Sequence, residues 1–265
     1  MINGSTKPIA RGRTAEVFTW QDGWIVNLFY AWVDAETIEH EARIAALVQS
    51  SGLSVPAIGE LVRVNGRMGL LYQRIEGLPM WPDGLAAAPW RIFRYARRTA
   101  ELHAQIHHRS FASSFPLQRQ RLMNKIHQAG GLPESLRPRV LDTLQNLPDG
   151  DRLCHGDFHP ANILVSGQGE IIIDWVDATI GNPLADVART SVLALGAAAC
   201  QIQGAFQKGL VRLFHSIYLR HYFSLRPGSE EEYTHWLPVV AAARLSENIP
   251  ELQGWLINQT IQRLQ

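Results

Sequence analysis

Hydrophobic positions along the chain follow two rhythms. In the first 75 residues, short apolar runs are cut by turn residues: "PIARGRTAEVFTW" and "GWIVNLFYAW" flank Gln21, Asp22 and Gly23, and "AIGELVRVNG" and "MGLLYQRI" flank Asn65 and Gly66. Runs rich in β-branched and aromatic residues, joined through Asp-Gly and Asn-Gly, predict two hairpins. Between them the period lengthens. Asp34 is placed to cap a helix, Ile38, Ala45 and Val48 recur at helical spacing, and Gly52 before Pro56 predicts its end. The expectation for residues 1–75 is four or more antiparallel strands with one helix inserted.

A Gly- and Pro-rich stretch, "EGLPMWPDG", follows, and a hinge is expected at about residues 73–80. Beyond it helical periods dominate. Phe93, Ala96, Ala100, His103 and His107 share one face of a predicted helix over residues 89–108, and Leu136, Val140, Leu144 and Leu147 mark another. Several more helices are expected from Ala185 onward. The predicted class is α+β: a small antiparallel β lobe with one helix, then a larger, mainly helical lobe over residues 81–265.

Composition narrows the functions. With 25 basic and 24 acidic residues the net charge is +1, so no overall field favours nucleic acid or anionic lipid, and neither is expected as a partner. Cys154 and Cys200 lie in apolar surroundings and are expected as reduced core thiols, which points to the cytoplasm. The amino terminus lacks the apolar stretch of a signal peptide, and "TSVLALGAAAC" falls well short of the roughly 20 residues that span a bilayer.

Chemistry concentrates in "LCHGDFHPANILVSGQGEIIIDWVDATIGNPLADVART", residues 153–190. Two apolar runs around Gly167, Gln168 and Gly169 predict a hairpin whose paired ends carry Asn162 and Asp174. Asp157 precedes Asn162 by five residues. This order suits phosphoryl transfer: one carboxylate orients the attacking hydroxyl, while an amide oxygen and a second carboxylate hold Mg²⁺ against the phosphates.

"HGDFHPANIL", "IDWVDATIGNPLADVART", "YQRIEGLPM" and "LHAQIH" resemble the aminoglycoside phosphotransferase and choline kinase-like family, over roughly residues 9–255. The resemblance implies a two-lobed protein-kinase-like fold. It also implies a small-molecule kinase that uses Mg²⁺ and transfers the γ-phosphate of ATP or GTP to the hydroxyl of an aminoglycoside-like, amino alcohol or sugar acceptor. In this sequence it assigns the catalytic base to Asp157, the magnesium ligands to Asn162 and Asp174, and adenine binding to the stretch from Gln73 to Ile75. Asp186 and His155 become supports of the catalytic loop. His159 stands where protein kinases place a lysine near the transferred phosphate, and a phosphate contact and plain loop packing are equally open to it. Gly12, Arg13 and Thr14 are the expected phosphate loop, although Gly12 is alone where such loops usually hold three glycines. The family's acceptors are mostly small alcohols, often amines. Trp175 and Asp177 are therefore expected to contact the acceptor, with Tyr233 and Trp236 near a glutamate run, Glu230 to Glu232, that reads more simply as an acidic helix start.

One position breaks the pattern. Aligning "GWIVNLF" with the kinase strand puts Asn27 where a lysine grips the nucleotide phosphates and pairs with a helix glutamate, here Glu41. Asparagine cannot neutralise a triphosphate. Either another cation near Glu41, from Lys7, Arg11, Arg13 or Arg43, or a changed nucleotide pose is expected to replace it; otherwise the protein is a weak or inactive kinase-fold binding module. Two metal readings compete. An extended "HGDFH" would alternate His155, Asp157 and His159 onto one face, as in a metal-dependent hydrolase using Asp174 or Asp177, although Gly156 and Pro160 favour a loop. His103, His107 and His108 have helical zinc-ligand spacing without the intervening glutamate, so packing is expected of them.

Overall fold

The computed structural model describes residues 7–81, 89–111, 115–226 and 230–264. Residues 1–6, on which the signal-peptide expectation partly rests, and Pro82 to Gly84 at the end of the predicted hinge stretch lie outside them. The chain forms two compact units. One runs through Met80 and takes in Ala161–Val176; the other takes Trp81–Pro160 and the chain from Asp177 onward.

The first unit is built on a five-stranded antiparallel sheet ordered β1-β2-β3-β5-β4. Its strands are β1 (Ala10–Arg11), β2 (Ala15–Thr19), β3 (Trp24–Phe29), β4 (Ile58–Val64) and β5 (Arg67–Gln73). Both predicted hairpins form. Asp22 and Gly23, and Asn65 and Gly66, all have positive φ, the backbone that a two-residue hairpin turn matched to strand twist requires. Helix α1 (Ala35–Gln49) follows β3, and the Asp34 carboxylate caps it by accepting from Thr37 N–H at 2.7 Å. Ala15, Phe29, Ile38 and Leu70 form one small core, and Phe18, Val26, Leu28, Val64 and Leu71 form a second. Successive residues of β3, Leu28 and Phe29, go to different cores, as the pleat dictates.

Residues 161–176 were expected in the helical part but pack with the first unit, and hydrogen bonding explains why. β8 (Ile163–Ser166) and β9 (Gly169–Ile172) form the predicted hairpin, and β6 (Gly77–Pro79) adds to it as a third strand through Leu78 opposite Val165. Ile172 N–H then donates to Ser54 O at 2.9 Å.

The second unit is mainly helical, with α2 (Arg91–His107), α3 (Gln118–Gln128), α4 (Arg137–Asn146), α5 (Pro183–Gly196), α6 (Ala205–Leu225), α7 (Glu230–Arg244) and α8 (Pro250–Arg263). A two-stranded ribbon, β7 (Arg152–Cys154) with β10 (Thr179–Gly181), lies in the chain between α4 and α5. Val140, Leu144 and Leu147 enter the core as their spacing predicts. Ala96, Ala100, His103 and His107 are buried too, but Phe93 is 53% exposed and Ile92 takes the inward position. The inward row continues back from Ala96 by four residues rather than three, and only the side chains decide between the two. Tyr233 and Trp236, expected near an acceptor, are core residues, with the Tyr233 hydroxyl donating to Ser191 at 2.8 Å. Pro183–Gln201, which is α5 and the π-helical turn after it, is long and apolar enough by composition to cross a membrane. It carries Asp186 and Arg189 and packs against α6, α7 and α8 as a core helix.

Two histidines in this unit make it sensitive to acid. Burial, then the neighbouring His103, pushes His107 down to about 3, and burial alone pushes His215 down to about 4. The Nε2 of His215 is closed off from solvent without a hydrogen-bond partner. A histidine whose pKa is lower in the folded state favours the unfolded chain as protons become available, so stability falls as pH drops from about 6.5 towards these values. His215→Leu is expected to leave stability near pH 7 unchanged or higher. Between pH 6 and pH 4.5 it should remove about 1.4 kcal/mol per pH unit, one proton's share of the slope. Urea unfolding at several pH values measures this, and an unchanged slope would refute it.

Candidate active site

In the second unit the site is built around one loop. β7 ends at Cys154, the chain turns at Gly156, and α5 supplies three side chains that hold the turn. Asp186 accepts from the backbone N–H of His155 at 2.6 Å and of Gly156 at 2.9 Å. Arg189 Nε donates to Gly156 O at 3.2 Å, and Thr190 Oγ1 donates to Phe158 O at 2.8 Å. Gly156 has φ +82°, and a Cβ there would lie 2.3 Å from Asp177 O, so only glycine fits. His155 is buried, and its Nδ1 accepts from Asp157 N–H at 3.2 Å. The turn at Gly156 means that "HGDFH" is not extended, and the hydrolase reading loses the shared face it needs.

Behind the loop, Asp186 is fully buried and holds α2 as well. His103 Nε2 approaches its Oδ2 at 3.1 Å and His107 Nε2 at 3.3 Å, while the hydroxyls of Tyr218 and Tyr222 meet the two Nδ1 atoms at 2.7 Å each. Burial would raise the Asp186 carboxyl, but the hydrogen bonds from His103 and His107 hold it well below the usual carboxylate range. The three residues are close enough to chelate a metal. Their atoms are instead engaged in this network, which accounts for two of the three histidines that share zinc-ligand spacing; His108 is exposed.

The Asp157 carboxylate emerges from this frame. Arg189 Nη2 donates to Oδ1 at 2.8 Å, and His159 Nε2 lies 3.5 Å from Oδ2. Burial opposes ionisation, but the hydrogen bond from His159 and the Arg189 guanidinium overcome it, and the carboxyl lies well below its ordinary range. Arg189 also pairs with Glu247 at 2.6 Å, and Glu247 with Arg244 at 3.4 Å. Asp177 is paired with Arg121 and with Lys125, the latter at 3.2 Å. It was expected to receive a cationic acceptor, but two cations already neutralise it. Burial, followed by Arg189 and Arg121, pushes Lys125 down to about 7.

The first unit carries the other half of the expected set. Ile173 N–H donates to Asn162 O at 3.0 Å, so the hairpin ends bearing Asn162 and Asp174 are neighbours. Asn162 is buried, whereas Asp174 is exposed and has φ +63°, a backbone that aspartate tolerates better than most residues. An exposed aspartate and an asparagine on neighbouring hairpin ends supply the hard-oxygen donor types that suit Mg²⁺. Trp175 is buried, and its indole N–H donates to Ile172 O at 3.0 Å, so its ring packs within this unit instead of facing an acceptor.

Glu41 answers the question raised by Asn27. The Tyr72 hydroxyl donates to Glu41 Oε1 at 3.1 Å, and the Asn27 amide is a second hydrogen-bond partner. In the ladder, Asn27 lies opposite Leu70 and Tyr72 opposite Ile25, so the two are diagonal neighbours on one face of the sheet. Burial first, then the Asp174 charge, raises the Glu41 carboxyl. Two neutral donors thus hold Glu41, and two of the four cations expected near it are engaged elsewhere: Arg11 pairs with Glu16, and Arg43 with His40. Gly12, Arg13 and Thr14 form the turn between β1 and β2, closed by Gly12 N–H to Ala15 O at 2.8 Å. Gln73 ends β5, and its side chain accepts from Ala57 N–H at 3.2 Å; Ile75 is half-buried just beyond it.

Sequence reasoning missed Tyr72, Arg189, Arg121, Lys125, Arg244 and Glu247. Some signals were available. Arg189 follows Asp186 by three residues and Lys125 follows Arg121 by four, each pair on one helix face. Nothing in the sequence joins α3 to Asp177 or Tyr72 to Glu41.

Comparison with known proteins agrees with this geometry. The family model described as "Phosphotransferase enzyme family" matches residues 5–227. No curated protein sequence matches. Among solved structures, the chain is similar to choline kinase LicA from Streptococcus pneumoniae (TM-score 0.65, 16% identity, covering 98% of this chain and 93% of that one). It is also similar to a thermostable mutant of aminoglycoside phosphotransferase APH(4)-Ia in complex with ADP and hygromycin B (TM-score 0.63, 13% identity, 98% and 93%). Macrolide 2'-phosphotransferase MphH from Brachybacterium faecium gives TM-score 0.55 at 18% identity, with 97% and 93% covered. The structural likeness, at identities this low, shows a shared protein-kinase-like fold and no more. The family match, over most of the length, establishes more: the chain belongs to the phosphotransferase enzyme family.

Proposed function

We propose that the protein is a small-molecule kinase that transfers the γ-phosphate of a purine nucleoside triphosphate to an alcohol. The observation that carries this reading is the Asp157 carboxylate, projecting from a loop whose backbone is fixed by Asp186, Arg189 and Thr190. In the reaction a bond forms from the acceptor oxygen to the γ-phosphorus. The bond from that phosphorus to the bridging oxygen breaks and leaves with the nucleoside diphosphate, and the hydroxyl proton departs by way of Asp157.

So acidic a carboxyl is a poor base, which suits a loose transition state in which the hydroxyl proton is lost late. Asp157 therefore acts mainly by aiming the acceptor oxygen. His159, at 3.5 Å from it, is placed to donate to the transferring group. Asn162 and Asp174 would hold Mg²⁺, which when bound offsets the charge of the phosphates. Glu41, set by Tyr72 and Asn27, lines the nucleotide side with neutral donors instead of an ion pair.

Two outcomes are expected. Asp157→Asn should lower kcat by roughly 10²- to 10⁴-fold while keeping Mg·ATP affinity, and Asp174→Asn should lose metal-dependent nucleotide binding. A coupled ADP-release assay and calorimetric titration read these effects, and a wild-type protein that binds no Mg·nucleotide would sink the proposal. Asn27→Lys adds a charged donor beside Glu41 and is expected to tighten nucleotide binding by about tenfold or more. Unchanged or weaker binding would show that the nucleotide sits against the neutral Asn27–Glu41–Tyr72 set in another pose.

A further inference from the structure

A cavity of about 50 Å³ opens beside Gly156, bounded by α3, α5 and α7. Since each water-sized group needs roughly 10–15 Å³ of such space, it admits about three to five of them: the size of one ionised group, not of a sugar ring. Its wall carries charge of both signs: Arg121, Lys125, Arg189 and Arg244 line it together with Asp177 and Asp186. Glu247 and Asp157 pair with Arg189 behind them. Four basic groups thus meet four carboxylates, but Asp186 spends its lone pairs on His103, His107 and two backbone N–H groups, and Asp157 is the group that receives the acceptor hydroxyl.

The wall is also short of acceptors. Arg121 Nε is closed off from solvent and has no hydrogen-bond partner, a costly state for a guanidinium N–H. Burial first, and then the neighbouring Arg189 and Arg121, push Lys125 down to about 7, so its ammonium is poorly compensated where it stands. A cationic acceptor entering here would meet guanidinium and ammonium groups, with Asp177 already paired.

Resting on the kinase reading, we infer that the acceptor is an alcohol that also carries a carboxylate or phosphate, and that Arg121 and Lys125 bind this anionic group in the cavity beside Gly156. Arg189 sits between the two functions. It lines the cavity and donates to Asp157 Oδ1, so an anion seated in the cavity would be registered against the base that aims the hydroxyl.

Calorimetric titration of the nucleotide-free protein with D-glycerate, glycerol 3-phosphate, glycerol and kanamycin tests the inference, and the two anions separate carboxylate from phosphate as the recognised group. At least one anion should bind tighter than glycerol by tenfold or more. Arg121→Gln and Lys125→Gln should each weaken that binding by roughly ten- to hundredfold, the worth of one charge-assisted hydrogen bond, and Lys125→Arg should restore it. Arg121 and Lys125 are partly exposed on α3, and retained thermal midpoints would show that the variants fold. Equal affinity for glycerol and both anions, preference for kanamycin, or anion binding untouched by both glutamine variants would overturn the inference. Nucleotide is absent, so the outcome stands apart from catalysis. Anion binding without phosphate transfer in the full reaction would sink the kinase reading alone, and transfer to glycerol or kanamycin without anion binding would sink this inference alone.

Discussion

Everything in the second unit that bears on chemistry depends on one buried carboxylate. Asp186 has no access to solvent, and an ion in such a place is tolerated only when its lone pairs are filled. Four donors fill them: two backbone N–H groups from the loop after β7 and two imidazoles from α2. Each donor costs less because the others are present, and removing any one leaves charge exposed to an apolar core. The same interaction therefore closes the core between α2, α5 and α6 and fixes the turn from which Asp157 projects. Gly156 completes the constraint, since no other residue can pass that close to Asp177 O.

The electrostatics of the unit follow from this arrangement. Arg189, one helical turn beyond Asp186, is buried between Asp157 and Glu247, and Glu247 is shared with Arg244. Arg121 and Lys125 reach the same region from α3 and divide Asp177 between them. The carboxylates of the site are thus held by resident cations. In the first unit Glu41 is held by a tyrosine hydroxyl and an asparagine amide. A neutral clamp asks less of the fold than a buried ion pair, because no second charge has to be desolvated.

Much of this was legible in the sequence, for identifiable reasons. The hairpins were marked by Asp22-Gly23 and Asn65-Gly66, where turn chemistry is local; α1 was marked by its Asp34 cap; and the Asn162–Asp174 juxtaposition followed from pairing two apolar runs of known length. Phe93 and Ile92 show where local pattern fails, since both fit a helical face and only the partner helices choose. Tyr72 and Lys125 show the other limit. Their partners, Glu41 and Asp177, are 31 and 52 residues away, and no periodicity encodes a contact at that range. Trp175 and Trp236 read as binding aromatics because large rings suit both surfaces and cores, and burial assigned them to cores.

The loop carrying Asp157 is fixed by Asp186 as part of the core and does not move as a free surface loop. Amide hydrogen exchange of His155 and Gly156, followed by NMR in the ligand-free protein, tests this most directly. Both amides are expected to exchange only through global unfolding, with protection equal to that of the slowest core amides in α5. Exchange of either amide at the rate of an open loop, while α5 stays protected, would contradict it.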